Sequence, residues 1–271
     1  MAVTSGEAGA RTDERDLPVN WLGFWTLYEK EVRRFLKVYT QTLLAPMVTT
    51  LLYLTVFLLA LGGQGRSVAG VGYGVFLAPG LIMMAMTQNA FANTSSSLVI
   101  SKMQGNIVDL LMPPVSSLEV VLALALGGVT RGLLVGLVVA LPISLFLPIL
   151  PESLGLVIFH AVAASLLLST IGIIGGIWAE KFDHIAAVTN FIVVPLSFLS
   201  GTFYTINALP AAWQLVARLD PFFYMIDGFR AGFIGHGAVT PWQGIAVMTG
   251  LNLALLALAW RLFERGYKIK S

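Results

Sequence analysis

The chain has 271 residues, of which 57% are hydrophobic and 11% charged, with a net charge of +2 and no cysteine; its mean hydropathy is +0.83. Soluble domains carry about 25% charged residues, so a soluble enzyme is excluded as a class and no nucleic-acid partner is expected, while the missing cysteines exclude a disulfide framework and a thiolate metal centre. What remains is an all-α integral membrane protein, because the apolar residues come in runs of the roughly 18 or more that a helix needs to cross the bilayer core.

Residues 1–20 are small, polar and mixed in charge, which predicts a disordered cytoplasmic tail. They hold no apolar h-region, so the first membrane helix is expected to serve as its own insertion signal. In residues 21–37, Trp21, Trp25, Tyr28, Val32 and Phe35 recur at helical spacing, opposite Glu29, Lys30, Glu31, Arg33, Arg34 and Lys37. An aromatic face opposed to a basic one predicts an amphipathic helix lying in the membrane interface.

Residues 38–271 read as one six-span unit. The first span is expected at 39–61, with Pro46 in its first turns, where it is best tolerated. After a glycine-rich external turn comes the second, at 73–100, with a kink expected at Pro79-Gly80. Its second half carries Gln88, Asn89, Asn93, Thr94 and Ser95–Ser97, which must face protein or water and not lipid. The polar segment 101–116 leads to a third span at 117–147, containing Arg131, and a fourth at 153–179. A tight turn over Glu180–His184 precedes a fifth at 185–203. Residues 204–240 are mixed and rich in Pro and Gly, and the last span is expected at 241–262.

Of the sixteen Lys and Arg residues, this arrangement puts twelve on the side of the termini and three on the other, with Arg131 inside the membrane. The positive-inside rule then places both termini in the cytoplasm, with 204–240 external, and the multi-pass chain is expected in the cytoplasmic (inner) membrane.

Several motifs lead nowhere. Val71-Gly72-Tyr73-Gly74 matches part of a potassium-channel filter, but only a short glycine-rich stretch precedes it and Gly70 replaces the Thr. No G-x-x-x-x-G-K-[ST] is present, so the chain cannot itself cradle ATP phosphates. His160, His184 and His236 lie far apart without metal-ligand spacing, so no metal site is expected. No acid falls in mid-span, which weighs against a proton-coupled carrier. Gly128, Gly132 and Gly136, and again Gly172 and Gly176, form small-residue stripes for close helix packing, within a subunit or between two.

The informative segment is 195–230. It contains Phe198-Leu199-Ser200-Gly201-Thr202-Phe203-Tyr204, then Leu209-Pro210, then Pro221-Phe222-Phe223-Tyr224-Met225-Ile226-Asp227-Gly228-Phe229-Arg230. A span that ends, turns, dips back and restarts is tolerated at membrane depth only under protein cover. This string resembles the hallmark of the ABC-2 family of transport permeases, in the subgroup of nodulation-factor and drug exporters. Asp220 stands where that family usually has Asn. The resemblance extends to the whole plan of an amphipathic N-terminal helix, six spans and a large external segment before the last.

The resemblance implies a homodimeric permease that exports an amphiphilic or lipid-linked substrate, driven by two copies of a separate ABC ATPase. This chain would then be no enzyme and hold no cofactor; ATP and Mg would sit on the partner. Lys102, Asn106, Val108, Asp109, Leu110, Leu111, Met112 and Pro113 are expected to form the coupling helix seated on that ATPase, and apolar Ile107, Leu110 and Leu111 need such a cover. Lys181, Asp183 and His184 would be secondary contacts. Arg131, Gln88, Asn89 and Asn93 are the pathway or substrate candidates, the arginine either meeting an anionic headgroup or pairing with the polar stretch of the second span. Gly201, Tyr204, Pro210, Trp213, Pro221, Phe222, Phe223, Tyr224, Asp227 and Arg230 form the external gate or re-entrant segment. Trp213, Phe222, Phe223 and Tyr224 also fit an interfacial belt with packing. The rival classes are an ATP-independent carrier or channel, and a membrane-embedded lipid-modifying enzyme.

Overall fold

The computed structural model describes residues 20–62, 67–107 and 115–268. Of the expected N-terminal tail only Asn20 falls among them. The described helices are α1 (Trp21–Leu36), α2 (Ala45–Leu61), α3 (Tyr73–Met103), α4 (Ser117–Phe146), α5 (Leu154–Trp178), α6 (Phe182–Val188), α7 (Val194–Leu199), α8 (Ala211–Leu219), α9 (Pro221–Ile234) and α10 (Pro241–Glu264). A π-helical turn, Thr40–Leu44, leads into α2, and another, Thr189–Val193, joins α6 to α7. Six stretches are long and apolar enough to cross a membrane: Thr40–Leu61, Tyr73–Met103, Ser117–Phe146, Leu154–Trp178, Phe182–Leu199 and Pro241–Glu264. The all-α, six-span reading holds.

Local chemistry sets the helix ends. Ser116 and Glu119 exchange a capping box at the start of α4, and Glu119 also accepts from Asn20 N at 2.7 Å, which ties the start of α1 to the start of α4. Pro241 occupies the first turn of α10, where its missing N–H costs nothing. Before α3, β1 (Ser67–Val68) and β2 (Val71–Gly72) pair as an antiparallel hairpin. Ala69 and Gly70 both have positive φ, as a two-residue type I′ connection requires. Tyr73 and Gly74 are already helical, so the filter-like string is a strand end running into a helix.

The bundle is organised around α3, where 83% of an 18-residue apolar stretch is buried, against 11% of such a stretch in the first span and 17% in the fifth and sixth. The glycine stripes explain how α4 and α5 approach it, and they act within one chain. A Cβ on Gly132 would lie 2.7 Å from Ser165 Oγ and 3.1 Å from Met86 O, and one on Gly176 would lie 2.8 Å from Leu98 Cβ. Hydroxyls then bridge the helices: Thr94 Oγ1 donates to Ser169 O at 2.7 Å and Ser169 Oγ to Ala125 O at 2.9 Å. Where lipid offers no hydrophobic drive between helices, such close backbone contact and interhelical hydrogen bonding hold a bundle together.

Two expectations need correction, and the structure adds to two others. The fifth span begins at Phe182 and ends at Leu199, so Asp183 and His184 belong to its first turn and the connecting turn is only 179–181. An acid in the first turn of a helix complements its dipole, which favours the earlier start. The segment 204–240 is mostly helical, in α8 and α9. The polar face of α1 is not wholly solvated: Glu31 and Arg34 turn into the bundle, whereas Trp21, Leu22 and Trp25 are exposed. Consequently an acid lies inside the bundle, although it comes from α1 and not from a span. Glu31 meets α3 at Ser97, six residues before the end of that helix, and sits over Gly127, whose missing side chain leaves room for it.

Candidate functional site

Three groups of predicted residues fall in three places. At one end of the bundle the two halves of the 198–230 string are fastened together. Ser200 Oγ donates to Asp220 Oδ2 at 2.6 Å, and Asp220 Oδ1 accepts from Phe222 N at 3.0 Å, capping α9 just before Pro221. Gly201, at φ +81°, turns the chain so that its carbonyl and that of Thr202 accept from Arg230 Nη2, at 2.9 and 3.2 Å. Arg230 Nε donates to Phe76 O at 3.0 Å, and the guanidinium carbon lies 3.9 Å from the centre of the Phe76 ring. Gly80 makes this possible, because a Cβ there would lie 2.8 Å from Arg230 Nη2. Asp227 accepts from Ala238 N and Val239 N at 2.9 and 3.1 Å, holding the connection into α10. Tyr204 donates to Leu199 O at 3.0 Å.

These contacts correct the sequence reading in two respects. Arg230, counted among the external charges, is a buried clamp. The belt reading does not hold for Phe222 and Phe223, which are 5% and 2% exposed, and Tyr224 is half-buried against Phe223. Of the four aromatics, Trp213 on α8 stays well exposed, and Pro210 precedes that helix as its N-cap. A cavity of about 250 Å³ opens beside the clamp, lined by Phe76, Tyr204, Phe223, Asp227, Arg230 and His236 among others. Asp220→Ala removes both the Ser200 bond and the α9 cap, and is expected to cost about 1–2 kcal/mol. Asp220→Asn keeps an acceptor and should retain most of that. Thermal unfolding of the two variants in detergent measures the difference.

The second group lies along α3. Gln88, Asn89 and Ser96 are half-buried, and Asn93 between them is 0% exposed. Arg131 Nη2 donates to Asn89 Oδ1 at 2.9 Å, so the pairing with the polar stretch of the second span is present. A second cation, read in the sequence only as part of the charged face of residues 21–37, joins it. Arg34 Nη2 donates to Asn93 O at 2.7 Å, Asn93 Oδ1 at 3.1 Å and Glu31 Oε2 at 3.0 Å, while Nη1 reaches Ser96 Oγ at 3.3 Å. Ser97 Oγ donates to Glu31 Oε1 at 2.7 Å. In sequence, an acid and an arginine three apart on a charged helix look the same whether solvated or buried. The usable signal was on the other side: consecutive buried polar residues of α3 need partners. Between α2 and α3 is a cavity of about 270 Å³ lined by Gln41, Thr49, Tyr53, Met84, Gln88 and Asn89, among others.

The third group is at the end of the bundle that carries the C-terminus. Lys102 Nζ donates to Ile177 O and Ala179 O, so its ammonium caps the last turn of α5. Lys268 Nζ lies 3.1 Å from Glu180 Oε1, and this partner pulls the Glu180 carboxyl below its usual range. Asn106, Lys181 and Asp183 are exposed, and His184 lies against Trp178. Val108, Asp109, Leu110, Leu111, Met112 and Pro113 lie outside the described residues. The three groups do not converge on one centre. They occupy two ends and the middle of one bundle.

Among the described residues no cluster of His, Cys, Asp and Glu is suited to hold a metal ion. Residues 23–234 match the family model described as ABC-2 type transporter. The chain is 36% identical over 251 residues to the inner membrane transport permease YadH of Escherichia coli (strain K12), covering 93% of this chain and 98% of that one. It is also 26% identical over 226 residues to nodulation protein J of Rhizobium meliloti (strain 1021), and 24% over 236 residues to that of Rhizobium leguminosarum bv. trifolii; these matches cover 81% and 85% of this chain. A six-span bundle, a clamped 198–230 string and a family match over most of its length make this chain a member of the ABC-2 type transporter family.

Proposed function

We propose that this transmembrane transport subunit is the permease of an ATP-driven exporter, sited in the cytoplasmic membrane with both termini inside. The observation that carries the reading is the set of half-buried polar positions on α3, Gln88, Asn89 and Ser96, beside two spans that are mostly unpacked. Polar side chains facing lipid are costly, so these positions line a pathway or an interface. Exposed Gln41, Thr49 and Tyr53 on the first span, and Asn190 on the fifth, carry the same requirement. A second copy of the chain covering these spans would enclose a pathway between the two subunits.

In this arrangement α1, with Trp21 and Trp25 exposed, lies in the membrane interface. The α8–α9 pair dips into the outer half of the bilayer, with Trp213, Leu215 and Leu219 of α8 turned to lipid. The ATPase engages the segment 102–113 and the turn near Lys181. Lys102, by capping α5, ties that segment to the fourth span, so a push on it reaches the bundle. ATP and Mg belong to the partner subunit.

One observation favours a proton-coupled carrier more than the sequence does: Glu31 is 4% exposed inside the bundle. Its ion pair with Arg34 and its bond from Ser97 hold it as a structural charge, and the exporter reading stands ahead.

The test is to purify the tagged chain in mild detergent and assay whatever accompanies it for ATP hydrolysis. The wild type is expected to bring down a P-loop ATPase, with Asp109→Arg and Leu110→Asp releasing it or uncoupling its hydrolysis at least about tenfold, as expected when a charge is introduced or reversed at a docked contact. If no ATPase accompanies the chain, and vesicles containing it move solute without nucleotide, the carrier reading replaces this one.

A further inference from the structure

We infer that the first span, Thr40–Leu61, is a hinged wall of the bundle, which pivots on its π-helical turn and is latched at its far end by Phe57. The inference rests on the reading of this span as a wall of the transport pathway and adds how that wall opens.

Three observations carry it. The first is the pivot. Pro46 has no N–H, and its ring crowds the carbonyl four residues back. The helix widens to accommodate it: Ala45 N donates to Thr40 O, five residues back, in the π-helical turn Thr40–Leu44. Such turns are rare, concentrate at functional sites, and are places where helices bend. The fifth span repeats the pattern, with Val194 N donating to Thr189 O just before Pro195. Pro79 and Pro142, inside the better packed α3 and α4, carry no such turn.

The second is the contrast across the pivot. On one side α1 is fastened. Tyr28 Oη lies 2.9 Å from Thr130 Oγ1, Arg34 and Glu31 bond to α3, and Thr42 Oγ1, inside the π turn, donates to Phe35 O at 2.8 Å. On the other side α2 is loosely held. Thr50 and Leu54 are its buried residues. The hydroxyls of Thr50 and Thr55 donate back to Pro46 O and Leu51 O, within α2, whereas those of Thr94 and Ser169 cross between helices. An element with few buried contacts is among the first to open.

The third is the latch. Eleven residues beyond Pro46, about 16 Å along α2, the ring centre of Phe57 lies 4.3 Å from that of Phe203, which lies 4.8 Å from that of Phe198. Phe203 is braced, because Arg230 fixes the carbonyls of Gly201 and Thr202 before it and Thr202 Oγ1 donates to Ser197 O at 2.6 Å. The cavity of about 270 Å³ between α2 and α3 carries Gln41, Thr49 and Tyr53, positions that lie between the pivot and the latch. Breaking the Phe57 contact lets α2 tilt from α3 and opens this cavity.

Cysteine reactivity of the purified full chain in dodecyl maltoside tests this, without nucleotide or ATPase, so that its outcome is independent of the coupling experiment. The chain has no cysteine, so one reporter at a time can be introduced. Leu54→Cys replaces a residue of the wall that is 5% exposed, and Leu168→Cys replaces one of α5 that is 0% exposed; the probe is methyl methanethiosulfonate. Leu54→Cys is expected to react at least about tenfold faster than Leu168→Cys, as a locally opening segment does beside one that opens only with the whole bundle. Phe57→Ala should raise the Leu54→Cys rate about fivefold, the equivalent of one aromatic pair, and leave Leu168→Cys unchanged. Pro46→Ala should slow Leu54→Cys at least about threefold, because a regular helical turn bends less than one at a proline. Similar rates at the two reporters overturn the inference, as does a Phe57→Ala effect equal at both. An unchanged Leu54→Cys rate in Pro46→Ala overturns the pivot. If thermal unfolding shows that Phe57→Ala does not fold, Phe57→Leu, which keeps bulk and removes the ring contact, takes its place.

Discussion

An Arg230→Leu chain is expected to lose about 3–5 kcal/mol of stability, with the loss concentrated in residues 200–240. The buried guanidinium makes three hydrogen bonds, to the carbonyls of Phe76, Gly201 and Thr202. Leucine fills much of the space but donates nothing, and each buried carbonyl left without a donor costs about 1–3 kcal/mol. Arg230→Lys is expected to recover little. An ammonium is a point donor, and it cannot serve Phe76 O on one side and Gly201 O on the other as the planar fork does. Thermal unfolding in detergent measures the total, and limited proteolysis shows where the chain opens. A wild-type melting temperature for Arg230→Leu would contradict the clamp.

Gly172→Val is expected to damage the centre of the bundle by about 3 kcal/mol or more, enough to cut the amount of folded protein severely. A Cβ on Gly172 would fall on Thr94 Oγ1 and lie 2.6 Å from Phe91 O. The carbonyl is helix backbone and cannot rotate away, so α5 must move off α3. Overpacking of this kind costs about 1–3 kcal/mol, and displacing Thr94 also breaks its bond to Ser169 O. Gly250→Ala is the matched control. It lies inside α10 with nothing within 4 Å of an added Cβ, so it should be neutral or stabilise by up to about 1 kcal/mol through helix propensity. If the two variants melt alike, the glycine stripes do not set helix packing.

Both predictions rest on residues whose type stood out in the sequence but whose work did not. Gly172 and Gly176 were legible as a packing stripe, because only a small side chain at that spacing lets two backbones touch. Which helix they touch was not legible, since the stripe alone fits a neighbour in the same chain or in another. Arg230 was legible as part of a recurrent string. That it is buried was not, because a lone arginine after an aromatic run carries no mark of its depth.

The same division runs through the whole molecule. Class, span number, approximate span limits, the polar stretch of α3 and the family resemblance were determined by the sequence itself, because the cost of placing polar groups in hydrocarbon is local and is written into each run of residues. The start of the fifth span, the inward turn of Glu31 and Arg34, the capping of α5 by Lys102, and the meeting of Ser200 with Asp220 were decided only by the tertiary structure. All but the first depend on a partner 20 to 80 residues away, and a charged side chain has the same appearance in sequence whether water or another helix completes its hydrogen bonds.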